Sequence, residues 1–267
     1  MDLKNNLTMF ISSCDKFSDL WELHVDFLKK NWQEPEMPVI LSTDVPTDRS
    51  FDGLRIVAGG KEKEWSQRLQ YALQFVETEY VFVTLDDYFI ITPIDLEKIA
   101  NILDLMEKEH LDYVRLEGFV RHPTRDKVPG YRKTYRLDTG KTYSVNLTSG
   151  IWRKSFLEKT CREPKTAWQY EVSLAGIARE ENARCMICKD HDYHYLDVVR
   201  KGKLLNKAAR YFRKHDLYHG DREIIARKEE LRIFVCTWGV RLMPPALTNM
   251  VRKFLMKRGH HFFSQEA

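Results

Sequence analysis

The sequence contains no apolar run near the roughly 20 residues that a membrane-spanning helix needs. Residues 1–6 carry charged and polar side chains where a signal peptide has its apolar core, so we expect a cytoplasmic chain. Cysteine is scarce and odd in number, at five residues, which fits free thiols better than a disulfide framework. With 43% apolar and 12% aromatic residues, the composition indicates a globular protein with a substantial core.

Net charge is also small, at +4, but it is unevenly distributed. From Arg200 onward there are 16 Lys and Arg against 6 Asp and Glu, a net charge of +10. Residues 1–199 have 27 Lys and Arg against 33 Asp and Glu, a net charge of −6. We therefore predict a catalytic domain at 1–198 and a basic helical extension at 199–267 that meets an anionic partner.

The end of this extension suggests which partner that is. Leu247, Val251 and Phe254 share one helical face, and Arg252 and Lys253 flank it. Basic amphipathic helices bind anionic lipid, so we expect peripheral attachment to the inner face of the cell membrane. The alternative is a helix that packs on the catalytic domain or on a second copy.

The first two thirds of the chain alternate between short β-prone runs and amphipathic helical periods, which predicts a mainly parallel sheet covered by helices. The β-prone runs are 7–13, 37–45, 54–58, 80–85 and 111–116. Farther along, the pattern predicts a long loop or small hairpin at 119–142 and a strand at 143–147. It also predicts helices at 151–160 and 168–178, followed by extended chain at 185–195.

Two adjacent carboxylates, Asp86 and Asp87, follow the apolar run 80–85. Ligands of parallel sheets bind at the carboxyl ends of strands, so chemistry is expected here. Placing a carboxylate beside an apolar core costs free energy unless the carboxylate is paired or binds a cation. Mg²⁺ and Mn²⁺ prefer oxygen ligands. The pair therefore suits a diphosphate held through a metal, although a solvated turn would also contain Asp.

Several short motifs follow one another between residues 7 and 198, and both the motifs and their order are informative. They are SSCD at 12–15, WSQRL at 65–69, LDDYF at 85–89, GIWRK at 150–154 and WQYE at 168–171. In this order they resemble the GT-A class of glycosyltransferases, especially bacterial enzymes that build surface polysaccharides. The resemblance implies a GT-A-like (Rossmann-like) α/β fold. It also implies sugar transfer from a nucleoside diphosphate sugar to a hydroxyl of a glycan or a polyprenyl-linked glycan.

The resemblance also implies roles at the donor side. In this class an Asp-x-Asp motif usually coordinates the donor diphosphate through a divalent cation, Mn²⁺ or Mg²⁺, which assigns Asp86 and Asp87 to the donor and Asp87 to the metal. The loop after the first strand holds the nucleotide, which assigns Ser13 and Asp15. The sequence departs from the class at Tyr88, where the second spaced acid is expected. Asp87 is then the sole direct ligand, or the metal is dispensable.

Beside these residues, Arg68 is a candidate because a guanidinium near the acid loop binds a diphosphate through two parallel hydrogen bonds. An exposed helix charge is the alternative for Arg68, and a helix cap is the alternative for Asp15.

On the acceptor side, inverting members of the class use a carboxylate base, and the matching residue is Glu171. Trp168 and Tyr170 offer flat surfaces to a sugar ring, and His122 lies in the long loop, so we assign these three to the acceptor. The alternative is an exposed helix on which Glu is common, with Trp168 in the core.

Two other functions remain open at this stage. A nucleotide-sugar-binding protein without catalysis would explain Tyr88, and a metal-dependent nuclease would use the acid pair and the basic tail. No nucleic-acid module is recognisable, so we expect no nucleic acid as partner. Cys185, Cys188, His191 and His194 are of zinc-ligand types, but a spacing of three cannot place all of them on one face of a strand.

Overall fold

The computed structural model describes residues 1–32, 37–116, 126–218, 220–242 and 250. These residues belong to two compact units, Met1–Leu196 and Asp197–Ala267.

The first unit is built on an eight-stranded sheet with helices on both faces. Its helices are α1 (Leu3–Asn6), α2 (Trp21–Asn31), α3 (Trp65–Leu73), α4 (Leu96–Lys108), α5 (Lys154–Thr160) and α6 (Ala167–Glu180). Its strands are β1 (Leu7–Ser12), β2 (Val39–Thr43), β3 (Leu54–Ala58), β4 (Tyr80–Leu85), β5 (Tyr88–Ile90), β6 (Tyr113–Arg115), β7 (Thr134–Arg136), β8 (Gly150–Arg153), β9 (Cys185–Cys188) and β10 (Tyr195–Asp197).

The strand order of the large sheet is β3-β2-β1-β4-β8-β6-β9-β7, and β5 and β10 form a separate pair. Strands β1 to β4 are parallel to one another, whereas β8 lies antiparallel between β4 and β6. The predicted α/β fold with a mainly parallel sheet between helices is therefore confirmed. Because β8 runs in the opposite direction, its first residue, Gly150, pairs with Val83 at the edge where β1 to β4 end.

Alternating side chains of β4 explain why its sequence is almost wholly apolar. Tyr80 and Phe82 belong to the core layer under α2 and α4. Val81 and Val83 point the other way and belong to the layer under α3, α5 and α6. A strand buried on both faces leaves polar residues only at its ends, and Asp86 stands at the carboxyl end.

Two expected elements differ in the structure. Residues 143–147 form a turn and bends where a strand was predicted, and Tyr143, with a φ of 63°, lies outside strand geometry. The guanidinium of Arg115 donates to the carbonyl of Tyr143 at 3.1 Å, so a side chain satisfies this backbone. The predicted helix 151–160 begins only at Lys154, because Gly150–Arg153 is the strand β8.

The second unit starts with a hairpin of β11 (Val199–Arg200) and β12 (Lys203–Leu204). Helices α7 (Asn206–His215) and α8 (Arg227–Leu242) follow. None of the helices in the described ranges is long and apolar enough to cross a membrane. The predicted apolar face of Leu247, Val251 and Phe254 lies outside the described residues.

Candidate functional site

The turn Asp86–Asp87 lies between β4 and β5, at the edge of the sheet where β1 to β4 end. Asp86 is buried, with 6% of its surface exposed, and Asp87 is half-buried. The backbone N–H of Asp86 donates to the carbonyl of Ser12 at 3.2 Å, which extends the pairing of β1 and β4 by one residue. This bond fixes where the acid turn starts relative to the end of β1.

The buried carboxylate of Asp86 is held by the residue that follows β1. The hydroxyl of Ser13 donates to Oδ2 of Asp86, and the indole N–H of Trp21 donates to the Ser13 hydroxyl at 2.7 Å. Trp21 is the first residue of α2 and is fully buried. A short hydrogen-bonded chain therefore runs from the start of α2 through Ser13 to the acid pair.

Helix α3 forms the opposite wall of this edge. The indole N–H of Trp65, its first residue, donates to the hydroxyl of Ser12 at 3.2 Å. The side chain of Arg68 crosses Gly59 so closely that a Cβ at position 59 would lie 2.9 Å from Arg68 Cβ. Nη1 of Arg68 donates to the carbonyl of Lys63 at 2.6 Å. A small cleft between these elements is lined by Phe10, Ser12, Ser13, Ser42, Trp65, Arg68 and Leu69.

The charged groups of this edge meet around Cys14. Burial, and then the carboxylates of Asp86 and Asp44, raise the pKa of the Cys14 thiol to about 11, while Arg68 acts in the opposite direction. The thiol is therefore protonated at neutral pH. Arg68, Asp44 and Asp86 thus all act electrostatically on the same side chain.

Asp15 lies in an exposed position at the start of a 3-10 turn, Asp15–Leu20. Its backbone N–H donates to Oδ1 of Asp44 at 2.6 Å, and Asp44 follows β2. The N-cap of the turn is Cys14, so Asp15 does not have the capping position that was its alternative. Asp44 adds a carboxylate to the site that the sequence analysis did not single out.

Beneath the acid turn, three buried hydroxyl groups form a closed cluster. Oγ1 of Thr84 lies 3.1 Å from Oγ of Ser149 and 3.1 Å from the hydroxyl of Tyr193, and these last two groups are 2.7 Å apart. Thr84 is the penultimate residue of β4, Ser149 precedes β8, and Tyr193 lies in the loop before β10. The cluster connects three chain segments directly below Asp86.

The acceptor-side candidates lie on α6, which begins at the N-cap Thr166. Glu171 is half-buried, and its Oε1 lies 3.4 Å from the backbone nitrogen of Leu147. Residues 144–149 lead into Gly150 at the edge that also bears Asp86, so the contact with Leu147 puts Glu171 next to the segment that enters this edge.

The aromatic candidates of α6 have different environments. Trp168 is exposed over 58% of its surface and lies one turn before Glu171. Tyr170 is fully buried, packs on Trp65 with ring centroids 4.7 Å apart, and has its hydroxyl on Thr160. It therefore presents no face to an acceptor and serves the core. His122 lies outside the described residues.

Asp87 is the residue that the sequence analysis assigned to a metal. Among the described residues no group of three His, Cys, Asp or Glu is placed to hold a metal. Mg²⁺ is often bound by one or two carboxylates together with substrate phosphates, so such a group is not required for a donor-bound cation. The half-buried Asp87 fits this mode. Cys185 and Cys188 are buried on β9, and the hydroxyl of Thr134 donates to Cys188 Sγ at 3.5 Å.

The structure thus brings Ser13, Asp86 and Arg68 together and puts Asp87 beside them, with Asp15 exposed nearby. Trp21, Ser149 and Tyr193 were not singled out from the sequence, and Trp65 was noted only as the first residue of the motif at 65–69. Their only signal was position, since each lies next to a strand end or a motif that the sequence did identify.

No protein-family model matches this chain, and no curated protein is recognised as a relative from its sequence. Solved structures do share its fold. The mannosyltransferase PcManGT from Pyrobaculum calidifontis, in complex with GDP-Man and Mn²⁺, matches with a TM-score of 0.51 at 14% identity, over 82% of this chain and 66% of that one. TarS 1-349 from S. aureus, in complex with UDP-GlcNAc, matches with a TM-score of 0.50 at 17% identity, over 74% of this chain and 60% of that one.

These two structures share the fold of this chain, although their sequences are only 17% and 14% identical to it. Both structures are complexes with a nucleotide sugar, but the identities are too low to carry an activity to this chain. The chain also spans less than two thirds of the length of these proteins.

Proposed function

We propose that this chain transfers a sugar from a nucleoside diphosphate donor to a hydroxyl of a glycan or lipid-linked glycan. The observation that carries the proposal is the edge of the sheet where Ser13, the Asp86–Asp87 turn and Arg68 meet. Ligands of such sheets bind outside the carboxyl ends of the strands, and this edge combines acids with a guanidinium. The nucleotide sugars in two proteins of the same fold support this substrate class.

At the donor side, Arg68 would bind the diphosphate. A guanidinium offers several N–H donors, and Nη1 of Arg68 already donates to Lys63, which holds the fork in one orientation. Ser13 and Asp15 lie on the loop after β1 and would contact ribose or base. The cleft beside Trp65 lies between these two sets of residues.

Asp87 is the residue that would hold a divalent cation, Mn²⁺ or Mg²⁺. Such a cation supplies positive charge that neutralises the diphosphate as it leaves. Asp86 has a different role in this proposal, because its carboxylate accepts from Ser13 and its N–H is bound to Ser12. Asp86 shapes the turn, and Asp87 reaches the donor.

At the acceptor side, Glu171 would act as general base if the anomeric centre inverts. It takes the proton of the acceptor hydroxyl while that oxygen forms a bond to the anomeric carbon. The bond from that carbon to the diphosphate breaks, and the nucleoside diphosphate leaves. The half-buried position of Glu171 beside Leu147 supports this role, and the exposed ring of Trp168 would lie against the acceptor sugar.

A screen of UDP-, GDP-, CMP- and dTDP-sugars by thermal shift, each with and without Mn²⁺, tests the proposal. A ligand that binds only the native state raises the apparent stability, so a donor should increase the melting temperature. Incubation of that donor with simple glycosides and detection of the transferred sugar then tests catalysis. If no nucleotide sugar raises the melting temperature, the result contradicts the proposal.

A binding protein without catalysis is the second candidate, and Tyr88 favours it. Tyr88 stands where the class has its second acid, and its ring stacks on Tyr195 with centroids 4.1 Å apart. Donor binding without either transfer or donor hydrolysis in the purified protein would identify this alternative.

We also propose that the second unit binds an anionic membrane surface. Within the ten residues of α7, Lys207, Arg210, Arg213 and Lys214 are exposed, and this helix contains no acidic residue. Each basic residue near an anionic leaflet contributes about 1 kcal/mol of attraction. On α8, Leu231, Phe234 and Val235 are each exposed over more than half of their surface, which adds apolar contact area.

A further inference from the structure

Helix α2 sends two buried polar side chains toward the chain that follows β4. His24 and Asn31 are only 3% and 4% exposed, so each must find hydrogen-bond partners inside the protein. Neither stands in a motif that identified the donor site. Both nevertheless bind backbone carbonyls of the segment that contains Asp87, at Asp86 and at Ile90.

His24 binds the carbonyl group of Asp86. Its Nδ1 lies 3.0 Å from that oxygen, and because a carbonyl only accepts, Nδ1 must carry the proton. Burial lowers the pKa of His24 to about 4, so the ring is neutral at physiological pH and has a single N–H. The ring also packs edge-on against Phe89, with centroids 5.4 Å apart. His24 therefore fixes the turn from two directions, by hydrogen bond and by packing.

Asn31 binds the far end of the same segment. Its side-chain amide donates to the carbonyl of Ile90 at 2.7 Å and to the carbonyl of Phe27, on its own helix, at 3.0 Å. The backbone carbonyl of Asn31 accepts from the N–H of Ile94 at 2.8 Å. One hydrogen of the amide thus joins α2 to the residue that ends β5, and the other binds within the helix.

These contacts bracket Asp87. Its preceding residue is bound to His24 through a carbonyl, and the chain is bound again at Ile90. Trp21, on the same helix, reaches the carboxylate of Asp86 through Ser13. A single rigid helix therefore determines the path of the backbone on both sides of Asp87.

We infer that His24 and Asn31 are positioning residues, which hold the turn from α2 so that Asp87 meets the donor diphosphate in a fixed geometry. This inference rests on the proposed function. It adds that donor affinity depends on two buried residues that do not touch the donor. Small misplacements of a binding group have large effects, since about 1 Å can cost up to about 100-fold in rate.

Four variants test the inference. His24→Phe keeps an aromatic ring but removes the N–H, whereas His24→Asn restores a donor at the position of Nδ1. Asn31→Leu keeps the volume and removes both donors. The matched control is Thr8→Val, which removes a buried hydrogen bond of 2.7 Å to Thr78 at the opposite edge of the sheet.

Two measurements are made on each folded variant, well below its melting temperature. Hydrogen exchange by mass spectrometry follows peptides that cover residues 84–92. Calorimetric titration with UDP-GlcNAc and with GDP-mannose, each with Mn²⁺, follows donor affinity. We expect faster exchange and an affinity about 10- to 100-fold lower for His24→Phe and Asn31→Leu, with partial recovery in His24→Asn. Thr8→Val should lower only the melting temperature.

Unchanged exchange and unchanged affinity in His24→Phe or Asn31→Leu would overturn the inference, as would an equal loss in Thr8→Val. If His24→Phe does not fold, Asn31→Leu is judged by the same criteria. If the wild-type protein binds neither of these nucleotide sugars, the donor that the thermal-shift screen identifies replaces them, and the proposed function fails if the screen identifies none. Hydrogen exchange then decides separately whether α2 positions the turn.

Discussion

The hydroxyl of Ser13 donates a hydrogen bond to the carboxylate of Asp86, although the two residues are 73 positions apart in the sequence. One follows β1 and the other follows β4, and these strands are parallel neighbours in the sheet. The bond therefore joins the nucleotide-side loop to the acid turn. Under the proposed function, this bond makes the donor site one connected structure.

Glu171→Gln should abolish most of the sugar transfer and leave donor binding intact. The amide keeps the size of the side chain and its contact with Leu147 but does not accept the acceptor proton. Loss of a general base typically costs about 10²-fold or more in rate. The control is Glu180→Gln, an exposed position on the same helix. Transfer within a few-fold of wild type would move the base role to another residue, such as Asp190 or Asp192.

Tyr193→Phe should destabilise the fold by about 1 kcal/mol, because it removes one of three buried hydroxyl groups below the acid turn. Thr84 and Ser149 still bond to each other in this variant, which limits the loss. Urea denaturation measures the difference. Tyr71→Phe, at a half-buried position on α3, should change stability by less than about 0.5 kcal/mol. Equal effects of the two variants would show that the hydroxyl cluster contributes nothing of its own.

Acidification should weaken the fold through His24. Burial lowers its pKa from 6.5 to about 4, so between these values the unfolded chain binds a proton that the native protein does not. The contribution of His24 to the free energy of unfolding is fully present above pH 6.5, falls as the pH drops toward 4, and amounts to about 3 kcal/mol. His24→Phe lacks this pH-dependent contribution.

The check is urea denaturation of wild type and His24→Phe at a series of pH values from 7 to 4. The stability advantage of the wild type should shrink steadily as the pH falls. A difference that stays constant over this range would mean that His24 does not titrate as its burial implies. The comparison with the variant cancels the carboxylates that titrate in the same range.

Removal of two positive charges from α7, Arg210→Gln with Lys214→Gln, should reduce binding to vesicles that contain anionic lipid. The loss should be about 2 kcal/mol, because each basic residue near such a surface contributes about 1 kcal/mol. Vesicle flotation measures it, and Lys29→Gln with Lys30→Gln on α2 removes the same charge elsewhere. Equal recovery of the wild type with neutral and anionic vesicles would contradict the membrane proposal.

Local patterns in the sequence were sufficient for much of the fold. The apolar run 80–85 and the acids after it correctly identified a buried strand that ends at the site edge. The short strand β8 was missed, because its four residues run directly into the helix that starts at Lys154 and the whole stretch has helical periodicity. Its identity is fixed by partners on both sides, β4 and β6, which are distant in sequence.

The site, like the fold, combines features that local sequence reveals with features that depend on residues distant in sequence. Charged residues with a known chemical preference, such as Asp87 and Arg68, could be selected from the sequence. Tyr170 could not be separated from Trp168 there, since only the packing of Trp65 reveals which of the two rings is buried. Neither His24 nor Asn31 gave a signal of a role at the site, because their hydrogen bonds go to backbone carbonyls, and a carbonyl is the same in every residue.

The central claim is that a nucleotide-sugar donor binds at Asp87. Its most direct test is calorimetric titration of wild type, Asp87→Asn and Asp26→Asn with the donor that the screen identifies, with and without Mn²⁺. Asp26 is an exposed carboxylate on α2 and serves as the control. We predict that Asp87→Asn binds the donor at least about 10-fold more weakly with Mn²⁺, and that Asp26→Asn binds like wild type. Equal donor affinity in wild type and Asp87→Asn would contradict the account.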